Sequence, residues 1–208
     1  MISKLRGKIG LLQRTLAWPF IKLKISPNII SVIGLILALI GVYFVSVQNW
    51  PLAFLFFLLA PTMDLIDGCV ARALNKKSNF GNYFETMIDK FVDFAMLGSF
   101  VLIHPLAAIL ALGFSMLSSY AKPRVALIII ADNHDWPAIG EHADKLIIIL
   151  IALLLASFGF NVIEYGLYLI ALIALIGTLQ RMKYAKKLIE KAEKKGTLLP
   201  YIKKKKER

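Results

Sequence analysis

Long apolar runs separated by short polar connections organise this chain, with successive stretches over residues 28–47, 51–74, 80–103, 105–130, 143–158 and 162–181. A helix needs about 20 residues to cross the hydrocarbon of a bilayer. Backbone groups have no water to bond there, so each run predicts a helix that satisfies its own N–H and C=O groups. The fifth is short, being strongly apolar only from Leu146, which puts its start at headgroup level. Before the first run, Lys4, Arg6, Lys8, Arg14, Lys22 and Lys24 interleave with Ile9, Leu12, Leu16, Trp18 and Phe20, a pattern that predicts an amphipathic helix lying in the membrane interface. It is long for a signal peptide, and no small-residue cleavage site follows the first apolar run. Ser26-Pro27-Asn28 reads as a helix entry, since serine or asparagine caps free N–H groups and proline is tolerated in a first turn. The predicted fold class is an all-α integral membrane protein of six transmembrane helices plus an N-terminal interfacial amphipathic helix. Residues 1–24 form the interfacial helix, 25–183 one membrane domain and 184–208 a basic tail.

Composition sharpens this picture. Hydrophobic residues make up 58% of the 208, which excludes an ordinary water-soluble domain. The net charge of +12 points to an anionic membrane surface rather than to nucleic acid, because the cations flank apolar runs and belong to no soluble module. The connections Gln48-Asn49-Trp50, His104-Pro105 and Gly159-Phe160-Asn161 carry none of the 25 lysines and arginines. The excess of positive charge on the other side predicts cytoplasmic termini, with the end of the second helix and the start of the third on that face of the cell membrane. Cys69 is a lone cysteine, so it forms no intrachain disulfide and reads as a small apolar helix residue. His134 and His142 are too few and too loosely spaced for a zinc site.

The chemistry concentrates in Asp64-Leu-Ile-Asp67-Gly68-Cys-Val-Ala71-Arg72 and, eight residues on, Gly81-Asn-Tyr-Phe-Glu85-Thr-Met-Ile-Asp89. At about 100° per residue, Asp64, Asp67, Gly68, Ala71 and Arg72 fall within an arc of about 140° on one helix. Gly81, Glu85 and Asp89 share a face of the next. An ionised carboxylate at membrane depth costs about 2.5–3.5 kcal/mol, and four together repel one another. A hard divalent cation, Mg²⁺ or Mn²⁺, suits such an all-oxygen set, and two ions can clamp a diphosphate. Gly68, Ala71 and Gly81 clear bulk from the face, and Arg72 can pair with a phosphate. Close helix packing on glycine and alanine, with the acids paired to Arg72 or Lys90, would account for any one of these residues but not for the set. No P-loop or Rossmann glycine pattern offers another nucleotide site.

These residues resemble the signature of the CDP-alcohol phosphotransferase family, D-x2-D-G-x2-A-R-x8-G-x3-D-x3-D, with one departure, Glu85 at the third aspartate. Pro27, Asn28, Ser31 and Gly34 are similar to that family's first-helix entry. The resemblance implies a six-helix, usually dimeric membrane enzyme of phospholipid biosynthesis. It implies transfer of a phosphatidyl-type or, as in archaeal members, archaetidyl-type group from a CDP-activated lipid to a hydroxyl acceptor, with release of CMP. On the same basis Asp64, Asp67, Glu85 and Asp89 are metal ligands, Asp89 is also the base, and Gly68, Ala71, Arg72 and Gly81 contact the CDP moiety. Glutamate keeps two carboxylate oxygens but moves them by about one carbon–carbon bond, which bears on metal spacing. Asp93 lies a turn deeper, matches no signature position and reads as a supporting acid.

Lys122, Arg124 and Arg181 stand at the cytoplasmic ends of the fourth and sixth helices, and His142 and Lys145 follow a polar connection over residues 131–145. Family members that accept inositol phosphate or glycerol phosphate use basic residues in these later helices, which implies a polyol phosphate acceptor. His142 stands where such members can carry arginine, a departure that weighs against it. Flanking charge that only sets topology explains each of these residues singly. Two other activities use acids in membranes: a prenyltransferase acting on a lipid diphosphate, and a divalent-cation transporter. The aspartate spacing and chain length disfavour the first; the clustering of acids beside Arg72 at one membrane face, without a broken-helix repeat, disfavours the second.

Overall fold

The computed structural model describes residues 2–130 and 136–199, the side chains of 2–9, 11 and 12 excepted. Seven helices account for the described residues: α1 (Ile2–Lys22), α2 (Pro27–Ser46), α3 (Trp50–Ala73), α4 (Asn79–Gly98), α5 (Pro105–Ala126), α6 (His142–Ser157) and α7 (Ile163–Lys195). There is no named strand among them, only an isolated antiparallel bridge between Ile129 and Leu198. By length and composition α2, α3, α5 and α7 qualify as membrane spans. The α4 helix has 20 residues, but Glu85, Asp89, Lys90 and Asp93 interrupt its apolar character, and α6 has only 16.

Helix starts follow elementary backbone chemistry. Pro27, Pro51 and Pro105 sit in the first turns of α2, α3 and α5, where a missing N–H costs nothing. The Asn49 side chain accepts a hydrogen bond from the Leu52 N–H, and that of Ser78 from the Gly81 N–H. Ser26 occupies the N-cap of α2 in an extended conformation, yet its side chain makes no capping bond, so the expected serine cap is absent there. Two helices stop short of the apolar runs that encode them. The α4 helix ends at Gly98 rather than near 103, ahead of a turn that leads into Pro105, and proline disfavours helix in the residue before it. Near the end of α5, Pro123 removes a donor, and the chain then tightens through the Ile128 N–H to Val125 C=O bond.

Two compact units divide the chain: residues 1–102 with 153–160, and residues 103–152 with 161–208. In the first, α2 packs on α3 and α4, and α3 also on α1. Small residues of α2 face inward, with Gly34, Ala38 and Gly41 buried, while Ile29, Val32, Ile36, Leu39 and Tyr43 form an exposed stripe at helical spacing. That inverts the soluble pattern and suits a helix whose backbone packs closely while its large side chains meet lipid. A Cβ on Gly41 would strike the Phe57 ring, so α2 and α3 approach as they do because the glycine has none. Cys69 is buried with Ala17, Ile30, Ile66 and Val70, as expected of a small apolar residue.

In the second unit α5 packs on α7. Val125, Ile129, Trp136, Ala185 and Ala192 form a buried apolar cluster, with Trp136 edge-on to Tyr184 at 5.3 Å. The α7 helix continues without a break from its apolar half into the lysine-rich segment and ends at Gly196, whose φ of 67° is the left-handed conformation that glycine adopts freely. The boundary expected at 183/184 therefore falls inside one helix. The remainder of the basic tail, residues 200–208, and His134 lie outside the described residues.

Candidate active site

The two signature blocks meet where α3 ends and α4 begins, joined by the short turn through Asn75. Four-residue and three-residue spacing put Asp64, Asp67, Gly68, Ala71 and Arg72 on neighbouring turns of α3, while Gly81 and Glu85 are one turn apart on α4. Carboxylate oxygens of Asp64, Asp67 and Glu85 all come within 4.8 Å of one another. Asp89, the fourth acid of the pattern, lies one turn further along α4 and is outside this group of three.

A cavity of about 280 Å³ opens beside them, lined by Asp67, Gly68, Ala71, Arg72, Gly81 and Glu85 together with residues that the motif does not contain. Those are Pro27, Asn28 and Ser31 from the start of α2, and Lys76, Lys77, Ser78 and Asn82 around the α3–α4 turn. Space for it comes from the small residues. A Cβ on Gly68 would lie 3.4 Å from Arg72 Nη1, so the guanidinium extends back across the glycine. A Cβ on Gly81 would stand 3.0 Å from Ser78 Oγ, the atom that caps α4, and 3.8 Å from Asn28 Oδ1. Glycine here allows the cap and the start of α2 to converge on one point.

Asp67 is 1% exposed, which is extreme for an acid. Its Oδ2 accepts a hydrogen bond from Ser31 Oγ across the α2–α3 contact. Its Oδ1 is buried with no hydrogen-bond partner. A carboxylate oxygen left so beside two further carboxylates is what a hard cation requires, so the donor set fits a divalent metal: all oxygen, converging and partly desolvated. Asp93, deeper on α4, is also buried, and its Oδ2 lies 3.0 Å from Lys90 Nζ.

The residues expected on the acceptor side fall in the second unit, where Arg181 lies close to the start of α6, which carries His142 and Lys145. Arg181 Nη1 donates to Ser118 Oγ at 2.6 Å and to the Ile139 carbonyl at 3.3 Å. Lys145 is buried, at 4% exposure, in the first turns of α6 near His142. Arg124 is exposed and lines an apolar groove between α5 and α7 with Tyr120, Val125, Met182 and Lys186, a lining that includes none of Lys122, His142, Lys145 or Arg181.

Sequence reasoning missed a strap over residues 139–141. Gln180 Oε1 accepts from the Ile139 N–H at 2.8 Å, and a Cβ on Gly177 would collide with the Ile139 carbonyl. Gly140 has a φ of 70°, and a Cβ there would come 2.7 Å from the Ile173 carbonyl. Gly140 amid polar residues and Gly177 within α7 were the available signals.

Comparison with known proteins bears on what this arrangement does. The model of the CDP-alcohol phosphatidyltransferase family matches residues 24–180. The archaetidylinositol phosphate synthase of Pyrococcus horikoshii is 32% identical over 195 residues, a match covering 91% of this chain and 99% of that one. Among solved structures, phosphatidylinositol phosphate synthase of Mycobacterium tuberculosis with CDP-DAG bound superposes with a TM-score of 0.72 at 19% identity, covering 83% of this chain and 92% of that one. The same enzyme in complex with manganese and citrate gives a TM-score of 0.71 at 19% identity, over 83% and 88% of the two chains. At that identity the likeness is one of fold, whereas the family match spans the span of sequence that holds the carboxylates, and it selects this reading over a prenyltransferase or a transporter. The chain is an integral membrane enzyme that belongs to the CDP-alcohol phosphatidyltransferase family, a transferase of phosphatidyl-type groups in phospholipid biosynthesis.

Proposed function

We propose that the chain transfers a phosphatidyl-type or archaetidyl-type group from a CDP-activated lipid to a polyol phosphate, with inositol phosphate or glycerol phosphate as acceptor, at the cytoplasmic face of the cell membrane. The observation that carries the reading is the convergence of Asp64, Asp67 and Glu85 on one another, beside a cavity that Asp67 and Glu85 line together with Gly68 and Arg72. Asp64, Asp67, Glu85 and Asp89 would hold Mg²⁺ or Mn²⁺, two ions in the full site. Bound metal would supply neutralisation of the diphosphate and polarisation of the bond to be broken.

The chain's own groups do the rest. Gly68, Ala71 and Gly81 let the nucleotide lie against backbone, and Arg72 pairs with a phosphate oxygen. Asp89 takes the proton from the acceptor hydroxyl, whose oxygen forms the new bond to the lipid-side phosphorus as the bond to the CMP oxygen breaks. Both electron pairs and the proton are then accounted for, and CMP leaves. Lys122, Arg124, His142, Lys145 and Arg181 supply the candidate cations for the acceptor phosphate, with Arg181 already held in a fixed orientation. The name of the Pyrococcus relative, an archaetidylinositol phosphate synthase, supports an inositol phosphate acceptor and an archaetidyl-type group. Six spans, counting α4 and α6 with the four apolar helices, an interfacial α1 and a homodimer complete the assembly.

The test supplies purified protein in lipid nanodiscs with a CDP-activated lipid and, in turn, inositol phosphate, glycerol phosphate, serine, glycerol and inositol, with products identified by mass. A new lipid phosphate and stoichiometric CMP with a polyol phosphate are expected. Turnover confined to serine or to the unphosphorylated alcohols would overturn the acceptor assignment.

A further inference from the structure

We propose that Ser31 is a positioning residue of the metal site: by donating its hydroxyl hydrogen to Asp67 Oδ2 it fixes the carboxylate plane and turns Oδ1 into the cavity. The inference rests on the metal reading above, and adds to it a residue of α2, a helix that holds none of the four acids.

Ser31 is 6% exposed and Asp67 1% exposed, so neither polar group has water to fall back on. Ser31 Oγ has two acceptors within reach, the Pro27 carbonyl one helical turn back at 3.3 Å and Asp67 Oδ2. A hydroxyl has one hydrogen to give. An ionised carboxylate is the stronger acceptor, so the hydrogen goes to Asp67, and the carbonyl at the longer distance is the lesser contact. With Oδ2 held this way, rotation of the carboxylate would break a buried hydrogen bond; the other oxygen, Oδ1, is buried without a hydrogen-bond partner, in a carboxylate that comes within 4.8 Å of those of Asp64 and Glu85. One oxygen is therefore spoken for and the other is left for a cation. That is the usual division of labour between a ligating carboxylate and the group behind it.

The placement follows from the fold. Gly34, one turn on from Ser31, lies against Ala60 O and Met63, so α2 runs close enough to α3 for a short hydroxyl to reach the acid. An alanine would remove the one side chain that donates to Asp67 Oδ2 across the α2–α3 contact.

The test is Mn²⁺ binding to the nanodisc-embedded protein, without substrates, followed by the electron paramagnetic resonance of free and bound Mn²⁺. Ser31→Ala should weaken binding by about 10–100-fold, the usual cost of losing an outer partner of a metal ligand, and should broaden the bound signal as the carboxylate orientation becomes heterogeneous. Ser31→Thr, which keeps the hydroxyl, should restore affinity, whereas Ser31→Val, of the same shape without it, should not. Wild-type affinity in Ser31→Ala and Ser31→Val would overturn the proposal, as would equal weakening in Thr and Val, which would mean that shape rather than the hydroxyl matters. Wild-type protein that binds no Mn²⁺ would instead overturn the metal reading beneath it.

Discussion

Arg181 reaches from α7 to the Ser118 hydroxyl of α5 at 2.6 Å, and the same nitrogen also donates to the Ile139 carbonyl. A planar fork with five donors can hold both and still present N–H groups to an anion, which an ammonium group does poorly. Arg181→Lys should therefore raise KM for the acceptor while leaving CDP-lipid affinity near wild type. Acceptor saturation curves at fixed CDP-lipid check this, and an unchanged acceptor KM would confine Arg181 to a structural part.

Gly177 and Gly113 are both glycines within helices but differ in surroundings. A Cβ on Gly177 would meet the Ile139 carbonyl and come 2.9 Å from Arg181 Nη1, whereas nothing lies within 4 Å of one on Gly113. Gly177→Ala should cost about 1–3 kcal/mol by overpacking. Gly113→Ala should be neutral or stabilising by up to about 1 kcal/mol, the helix propensity difference. Thermal unfolding of the two variants in the same nanodiscs gives the comparison.

Asp67→Asn removes a charge and one oxygen ligand together, and leaves an amide that cannot satisfy both its Ser31 contact and a cation. Turnover should fall below detection and Mn²⁺ affinity should drop. Wild-type protein in excess chelator should lose turnover as well, and recover on addition of Mg²⁺ or Mn²⁺. Full turnover in chelator would exclude metal from the reaction.

Asp89→Asn should behave differently, because Asp89 lies outside the close group of three acids. CDP-lipid should still bind in the presence of metal, with turnover reduced by about 10²–10⁴, as for loss of a general base. Parallel loss of binding and turnover would make Asp89 chiefly a ligand.

The carboxylate site was legible because its spacing is local: three- and four-residue intervals on two consecutive helices need only the helical period to bring Asp64, Asp67 and Glu85 together. The starts of α2 and α3 were legible to one residue for the same kind of reason, since Pro27 and Pro51 punctuate them. Ser31 was visible only as part of a helix entry. Its contact with Asp67 spans 36 residues, and no local pattern encodes which serine of a membrane helix meets which acid. The strap depends on Ile139 and Gln180, 41 residues apart, and on backbone approach at Gly177 that hydropathy does not register. The helical continuation of α7 into the basic segment expected from residue 184 was not legible, because charge says little about backbone; in the fold, an (i, i+4) pair such as Lys186 and Glu190, 3.8 Å apart, lends the extension modest support.

The unbroken run of α7 has a consequence for which lysines feel the bilayer. Its 33 residues extend about 50 Å at about 1.5 Å per residue, against a hydrocarbon thickness of about 30 Å. An upright α7 thus emerges as a stalk of about 20 Å, roughly two screening lengths at physiological ionic strength. In that orientation Lys183, Lys186 and Lys187, near its base, would lie within range of anionic headgroups, while salt would largely shield Lys194 and Lys195, at the tip, from them. Past the tip, Gly196 reverses the chain, and the Leu199 N–H bonds to the Ile128 carbonyl, so the stalk is guyed to the segment that follows α5. The positive charge of α7 is thereby graded along its length, from the end of its apolar half to its tip.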